Sequence, residues 1–247
     1  MKKIVICTLM ILMAFTSNVY ASSKDKTEDE MINEISMVSG MSTNEVEQVI
    51  KEKSFELSIE YEELLRNTYE NYVLTATFND GIRTRSSSQG GHKKMSEVNT
   101  SSKKGDYFYT PSFFPSSTMG WNHGHAGLYI SSSTIIDAPG PGKTVRKIAT
   151  NEISVSYGAK FGRLKTANTS AVTKAVSFVE KKEELKAPYN ASIDNKMCDK
   201  KSFNCSQLVY CAYKESSIYL NNGQPMFVSP IDLMKDSKTN VYRTYNK

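Results

Sequence analysis

The pattern of apolar residues changes at Gly105, and this change constrains the fold more than any other feature of the sequence. Before it, apolar side chains recur at helical spacing, whereas after it short apolar runs alternate with polar turns, which is typical of strands. The pattern predicts strands at 106–109, 125–130 and 134–138, followed by helices at 170 to about 186 and at 204–214. Strands that precede helices without strict alternation indicate an α+β domain in residues 105–247.

Residues 22–85 are predicted to form a helical N-terminal extension. Met31 and Ile35 follow helical spacing, and Ser42 and Glu45 have the spacing of a capping box. The extension contains no His or Cys and therefore offers no nucleophile. Two interpretations stay open: a segment that only packs against the domain, or a lid or inhibitory pro-segment.

The end of this extension and the residues after it have different compositions. A further helix is predicted over 55–72. It is followed at 86–104 by a stretch rich in Ser, Gly, Lys and Asn, which is typical of a linker or an exposed loop.

Residues 1–21 have the order of a secretory signal peptide. Lys2 and Lys3 precede an apolar run at 4–15, and a small-residue cleavage pattern ends at Ala21. The run is too short for a permanent membrane anchor. We therefore predict a protein that is secreted or associated with the cell surface or cell wall, without a permanent membrane span.

Removal of this segment would leave Cys198, Cys205 and Cys211, so at least one thiol would lack a partner within a monomer. A disulfide between Cys198 and Cys211 would make Cys205 the free thiol. The formal net charge of +5 over 247 residues is too small to require a nucleic-acid partner. A hydrophobic content of 39% suits a globular domain with a sizeable core.

Cys205 lies at the start of the predicted helix 204–214. Ser202 or Asn204 can cap this helix, and Cys205 shares its inward face with Leu208. Unpaired backbone N–H groups at a helix start favour the thiolate, which is the form that acts as a nucleophile. The alternative is a small buried core residue, which is the usual position of a free cysteine.

The two predicted strands at 125–130 and 134–138 form a hairpin. If its turn is centred on Ser131, His125 lies directly opposite Asp137, with their Cβ atoms about 5 Å apart. A carboxylate beside an imidazole fixes the tautomer and supports the protonated form, so His125 could accept the proton of a thiol and pass it to a leaving group. The alternative for Asp137 is a strand-end carboxylate that prepares the turn at 139–142.

These motifs resemble those of the NlpC-type cell-wall cysteine peptidases, which have a papain-like fold. That family has a His-x-Gly-Ile-Tyr strand with a polar residue twelve positions after the His, and here the strand reads His125-Ala-Gly-Leu-Tyr129, with Asp137 at the later position. The segment Cys205-Ser-Gln-Leu-Val209 resembles the nucleophile helix. Because the His precedes the Cys, the order resembles the circularly permuted, YiiX/YaeF-like branch over about residues 105–213.

The resemblance implies a thiol hydrolase with Cys205 as nucleophile, His125 as base and Asp137 as orienting residue. It also implies that Tyr189 lies near the site as an oxyanion donor, and Gln207 stands where relatives often carry Glu. The implied reaction is cleavage of an amide bond in a peptidoglycan peptide through an acyl-thioester, without a cofactor. A lipid-directed acyl hydrolase or transferase, and a non-catalytic wall-binding module of the same fold, are the alternatives.

Trp121 and His123 come just before the predicted strand that carries His125. We interpret both as loop residues at the mouth of the site, where they could line the substrate cleft. The spacing of His123 and His125 also suits metal ligands, so a zinc site with Cys205 or Asp137 is an alternative. The sequence has no CxxC or HExxH motif to support it, and we predict no metal.

Overall fold

The computed structural model of the chain describes residues 25–39, 41–70, 92–111, 124–140, 142–166, 169–190, 192–199, 201–224 and 226–246. The predicted signal peptide lies outside these residues. Within the described ranges, no helix combines the length and the apolar character needed to cross a bilayer.

Three helices begin the described chain: α1 (Glu28–Ser39), α2 (Thr43–Leu57) and α3 (Tyr61–Tyr69). Ser42 caps α2 and forms the predicted capping box with Glu45. The prediction of one helix over 55–72 is wrong, because α2 continues to Leu57 and α3 begins only at Tyr61. Between them Ser58 adopts a left-handed backbone with a φ of 53°, which ends α2.

The three helices, hereafter the helical unit, bury their apolar faces in one cluster. Its members from the helical unit are Met31, Ile32, Ile35, Val46, Ile50, Leu64, Leu65 and Tyr69. The same cluster contains Ile193, Met226 and Phe227 from the C-terminal part of the chain. The helical unit is therefore packed against loops of the domain that follows it.

The described part of that domain contains eight strands in two antiparallel sheets. In chain order they are β1 (His92–Lys94), β2 (Tyr107–Thr110), β3 (His125–Tyr129), β4 (Thr134–Asp137), β5 (Arg146–Ala149), β6 (Ser154–Ser156), β7 (Lys160–Leu164) and β8 (Thr239–Thr244). The main sheet has the order β5-β4-β3-β2-β7-β8, and β1 pairs with β6 alone. The sequence predicts β2, β3 and β4 but not the other strands.

Part of the predicted linker at 86–104 is a strand followed by one helical turn. Strand β1 leads into α4 (Met95–Val98), and the loop prediction is wrong for both. Met95 and Val98 are buried in a cluster that includes Phe108 and Tyr129 of the main sheet. Burial of these two apolar side chains fixes the backbone of an otherwise polar stretch. The average composition of residues 86–104 does not reveal them.

Three helices complete the domain: α5 (Thr169–Glu184), α6 (Cys205–Lys214) and α7 (Pro230–Lys235). Their apolar side chains share one core with alternate residues of β2 and β3, among them Ala126 and Leu128. The predicted helices at 170–186 and 204–214 correspond to α5 and α6. The prediction of an α+β domain with an antiparallel sheet packed on helices is confirmed.

A disulfide joins Cys198 to Cys211 in α6, a pairing that the sequence permits but does not require. Among the described residues, Cys205 is the free cysteine, and its side chain is buried. The disulfide therefore fixes the loop before α6 to the helix that carries the free thiol.

We expect the Cys198–Cys211 disulfide to stabilise the fold, because a cross-link removes conformational freedom from the unfolded chain. Substitution of both cysteines by Ser should lower the free energy of unfolding by about 2–4 kcal/mol. Thermal unfolding with and without a reductant checks this: reductant should lower the Tm of the parent protein and leave the Tm of the double variant unchanged. An equal response of both proteins to reductant would contradict it.

Candidate active site

The β3–β4 hairpin brings His125 and Asp137 together in a register that differs from the predicted one. Gly127, rather than His125, lies directly opposite Asp137. The direct pairing of His125 with Asp137 is therefore a wrong prediction. Because the offset is two residues, His125 stays on the same face of the sheet and becomes a diagonal neighbour of Asp137.

The turn of the hairpin explains the difference. The backbone N–H groups of Ile130 and Ser131 both bond to the carbonyl of Thr134. This closure centres the turn on Ser132, one residue later than the predicted centre, and so moves every cross-strand partner by two residues. The alternation of side chains across the sheet is unaffected, which is why the two site residues still meet.

Gly127 provides the space that lets Asp137 reach His125. A Cβ atom at Gly127 would lie 2.8 Å from Phe108 Cε1, 3.0 Å from the Ile136 carbonyl oxygen and 3.2 Å from Asp137 Cβ. The first of these distances is shorter than real Cβ atoms show. A side chain here would therefore displace its neighbours.

Asp137 is fully buried and has two partners. Its Oδ2 lies 2.8 Å from Nε2 of His125. Arg146 donates from Nε to Oδ1 at 2.8 Å and from Nη2 to Oδ2 at 3.2 Å. Arg146 reaches this position because it lies directly across from Asp137 in β5. The sequence analysis does not identify Arg146, since it does not predict β5.

The partners of His125 determine its protonation. Burial alone lowers the pKa of His125, but hydrogen bonds to Asp137 and to Cys205 outweigh burial and raise the pKa to about 9. Burial also acts to raise the pKa of Asp137, yet His125 and then Arg146 hold it below its ordinary value. Both shifts favour the imidazolium form of His125 and the carboxylate form of Asp137.

Cys205 is the first residue of α6. Asn204 is the N-cap, because its side chain accepts from the Gln207 N–H at 2.8 Å, so the prediction of a cap at Ser202 or Asn204 is resolved in favour of Asn204. The thiol is 7% exposed and hydrogen-bonds to His125. Nδ1 of His125 is the ring nitrogen left for the thiol, since Nε2 faces Asp137. Three residues from β3, β4 and α6 therefore form one contact chain.

Gln207 belongs to the cap of α6. Its Nε2 donates to the Met197 carbonyl at 2.7 Å, and its Oε1 accepts from Asn190 Nδ2 at 2.9 Å and from the Asn204 N–H at 3.1 Å. The side chain is fully buried, and its amide fixes the loops around α6. A direct contact of Gln207 with a substrate stays a prediction.

Tyr189 lies beside the start of α6. The Pro188 carbonyl accepts from the Phe203 N–H, and Asn190 bonds to Gln207, so both neighbours of Tyr189 are tied to the residues around Cys205. Its ring is partly buried against the main core. This position is compatible with the predicted oxyanion role, which stays a prediction. Trp121 and His123 lie outside the described residues.

The carboxylate of Asp137 is engaged by its neighbours: Arg146 donates to both of its oxygens, and Oδ2 also lies 2.8 Å from Nε2 of His125. Across the part of the chain that the structure describes, no group of three or more His, Cys, Asp or Glu residues is arranged to hold a metal ion. The alternative of a zinc site through His123 falls on a residue that is not described.

No protein-family model matches the sequence. The chain is similar to the uncharacterized protein YycO of Bacillus subtilis (strain 168), with 25% identity over 186 residues, which cover 73% of this chain and 72% of the relative. Among solved structures it is similar to the crystal structure of metalloprotein YiiX from Escherichia coli O157:H7, with 11% identity and a TM-score of 0.43, covering 59% of this chain and 98% of that chain. Likenesses of this strength assign neither a family nor an activity.

We expect Gly127→Ala to disturb Asp137 and to weaken the fold. The added methyl group must push Phe108 or the Ile136 backbone aside, which should cost about 1–3 kcal/mol of unfolding free energy. Displacement of Asp137 should also lower the pKa of His125. Thermal unfolding and an NMR titration of the histidine ring measure the two effects, and parent-like values in both would contradict the assigned role of Gly127.

The raised pKa of His125 makes stability depend on pH. Since the pKa is about 9 in the folded protein and 6.5 in the unfolded chain, its contribution should be complete below pH 6.5 and disappear as the pH rises through about 9. In Asp137→Asn, His125 loses the carboxylate that raises its pKa against the effect of burial, so the pKa of His125 should fall.

NMR titration of the His125 ring in the parent protein and in Asp137→Asn measures this shift. A His125 titration that is the same in both proteins would show that Asp137 does not control the imidazole.

Proposed function

We propose that this protein is a thiol hydrolase that cleaves amide bonds through an acyl-thioester on Cys205. The observation that carries the proposal is the buried imidazole of His125, which contacts the Cys205 thiol on one side and the Asp137 carboxylate on the other. A thiol, an imidazole and an orienting carboxylate in this order are the groups that cysteine hydrolases need.

The first chemical step forms a carbon–sulfur bond. In the reactive form the proton of the Cys205 thiol already lies on His125, where the Asp137 carboxylate holds it, so the pair is a thiolate beside an imidazolium. The thiolate sulfur then attacks the carbonyl carbon of the scissile amide, and the carbonyl electron pair moves to oxygen. Backbone N–H groups in the first turn of a helix lack intrahelical acceptors. The Gln207 N–H already donates to Asn204, so we propose that the N–H of Cys205 or Ser206 receives this oxyanion.

The next steps break the amide and restore the thiol. As the carbon–nitrogen bond breaks, the His125 imidazolium donates its proton to the leaving amine, and the acyl group remains on sulfur as a thioester. His125, now neutral, removes a proton from water, and the resulting hydroxide attacks the thioester carbon. Departure of the Cys205 thiolate releases the carboxylic acid, and His125 is again the imidazolium partner.

Arg146 supports these steps without contact with the reacting atoms. It donates two hydrogen bonds to Asp137, which keeps that carboxylate ionised and directed at His125. The fork of a guanidinium fixes both oxygens of a carboxylate in one plane, so the imidazole can hold only one orientation. Arg146 is therefore a positioning residue in the proposed mechanism.

We propose a cell-wall peptide as the substrate and export as the setting. The signal-like segment at 1–21 and the resemblance of the His and Cys motifs to the permuted, papain-like branch of the NlpC-type peptidases support this choice. Phe113, Phe114 and Met119, which could line a pocket for a lipid acyl chain, lie outside the described residues. The resemblance of the motifs is what favours an amide substrate.

Cys205→Ala should abolish hydrolysis while the fold is retained, because it removes the nucleophile and leaves the cap of α6 intact. The matched control is Lys147→Met, an exposed residue of β5 next to Arg146, which should keep parent activity. Purified muropeptides and acyl-lipids, digested side by side and followed by mass spectrometry, identify the bond that is cut.

Full activity of Cys205→Ala would end the proposal of a thiol hydrolase. Cleavage of acyl-lipids alone would replace the substrate class, and binding of wall material without turnover by the parent protein would favour a non-catalytic module.

A further inference from the structure

One loop lies between the helical unit and the helix that carries Cys205. This segment, residues 192–198, is called here the bridging loop. On its outer side, Ile193 is fully buried in the cluster that the helical unit forms. The next residue, Asp194, pairs with Lys53 of α2 at 3.2 Å, and both side chains are less than one-sixth exposed, at 13% and 14%.

The inner side of the bridging loop holds the start of α6. The Met197 carbonyl accepts from Gln207 Nε2 at 2.7 Å, and Cys198 forms the disulfide with Cys211. Gln207 in turn accepts from the Asn204 N–H, the residue immediately before Cys205. A displacement of Met197 is thus transmitted to the N-cap through one side chain.

A second connection runs through Val228. Asn195 of the bridging loop donates to the Val228 carbonyl at 3.0 Å and accepts from the Val228 N–H at 2.8 Å. The same carbonyl accepts from Ser206 Oγ at 2.7 Å, so the residue immediately after Cys205 is fixed as well. The preceding residue, Phe227, belongs to the cluster of the helical unit.

Both neighbours of Cys205 are therefore held by segments whose other side is packed on the helical unit. Catalytic groups tolerate little displacement, since a shift of roughly 1 Å can cost a hundredfold in rate. A unit packed on these segments can fix the thiol against His125 without touching either residue. A lid or inhibitor would instead have to cover the thiol.

We propose that the helical unit is a positioning domain for Cys205, which acts through Lys53, Asp194 and Ile193 on the bridging loop. The proposal rests on the proposed function in that it takes Cys205 as the nucleophile. It gives the N-terminal extension a role that neither passive packing nor inhibition describes.

The test uses the full chain with single substitutions at the contact. Lys53→Met removes the ion pairs of Lys53 with Asp194 and with Glu56. Ile193→Val makes the buried side chain slightly smaller, and Lys53→Arg keeps the charge as the conservative rescue. Lys51→Met is the matched control, because it breaks an ion pair with Glu47 inside α2, away from the bridging loop. Circular dichroism and thermal unfolding confirm that each variant is folded.

The main readout is the rate at which iodoacetamide alkylates Cys205 across a range of pH, followed by mass spectrometry of the Cys205 peptide. We expect alkylation in Lys53→Met to be slower by roughly tenfold with a changed pH profile, a smaller effect in Ile193→Val, and parent rates in Lys53→Arg and Lys51→Met. In hydrolysis, kcat should fall more than KM rises.

Parent-like alkylation in both Lys53→Met and Ile193→Val would overturn the positioning role. Faster alkylation would also overturn it, because the helical unit would then restrain the thiol. Alkylation needs no substrate, so it separates the two proposals. If Cys205→Ala keeps its hydrolytic activity, the proposed function fails, whereas the coupling of the helical unit to the thiol is still decided by the alkylation rates.

Discussion

The buried carboxylate of Asp137 sets the conditions that the rest of the site must meet. Burial of an unpaired carboxylate costs several kcal/mol, so a fully buried Asp137 requires partners on both of its oxygens. Those partners, His125 and Arg146, come from the strands on either side. In the observed register, β3 and β5 bring His125 and Arg146 within hydrogen-bond distance of this carboxylate. The interaction that orients the imidazole therefore also links the three central strands.

The thiol depends on a different set of constraints from the imidazole. His125 is fixed by the sheet, whereas Cys205 is fixed by a helix start whose cap is held by loops. Loops are the more deformable of the two supports, and they need an external surface to be rigid. The helical unit supplies that surface at Ile193 and Asp194. In the proposed mechanism, helix α6 and the helical unit therefore act together.

The sequence predicted the parts of the site that depend on local pattern. Spacing places Cys205 at the start of α6 with Ser202 or Asn204 as the cap, and places His125 and Asp137 on one face of the hairpin. The odd number of cysteines permits the Cys198–Cys211 disulfide without requiring it. The register of the hairpin was not predicted from the sequence. The serine-rich turn closes on the Thr134 carbonyl through backbone hydrogen bonds, and because many sequences can form such bonds, the residue types do not specify where the turn closes. Arg146 was not found because β5 is recognised only by its pairing with β4.

Catalysis and stability share one proton in this arrangement. Asp137 and Cys205 both favour the imidazolium form of His125 and raise its pKa to about 9. This preference for the protonated form stabilises the folded protein. In the proposed reaction, the same proton is the one donated to the leaving amine. Any change that weakens the contact with Asp137 must therefore reduce both properties together. A change that moves only the thiol should lower activity more than it lowers the free energy of unfolding. This difference distinguishes the contribution of the sheet from that of the helical unit.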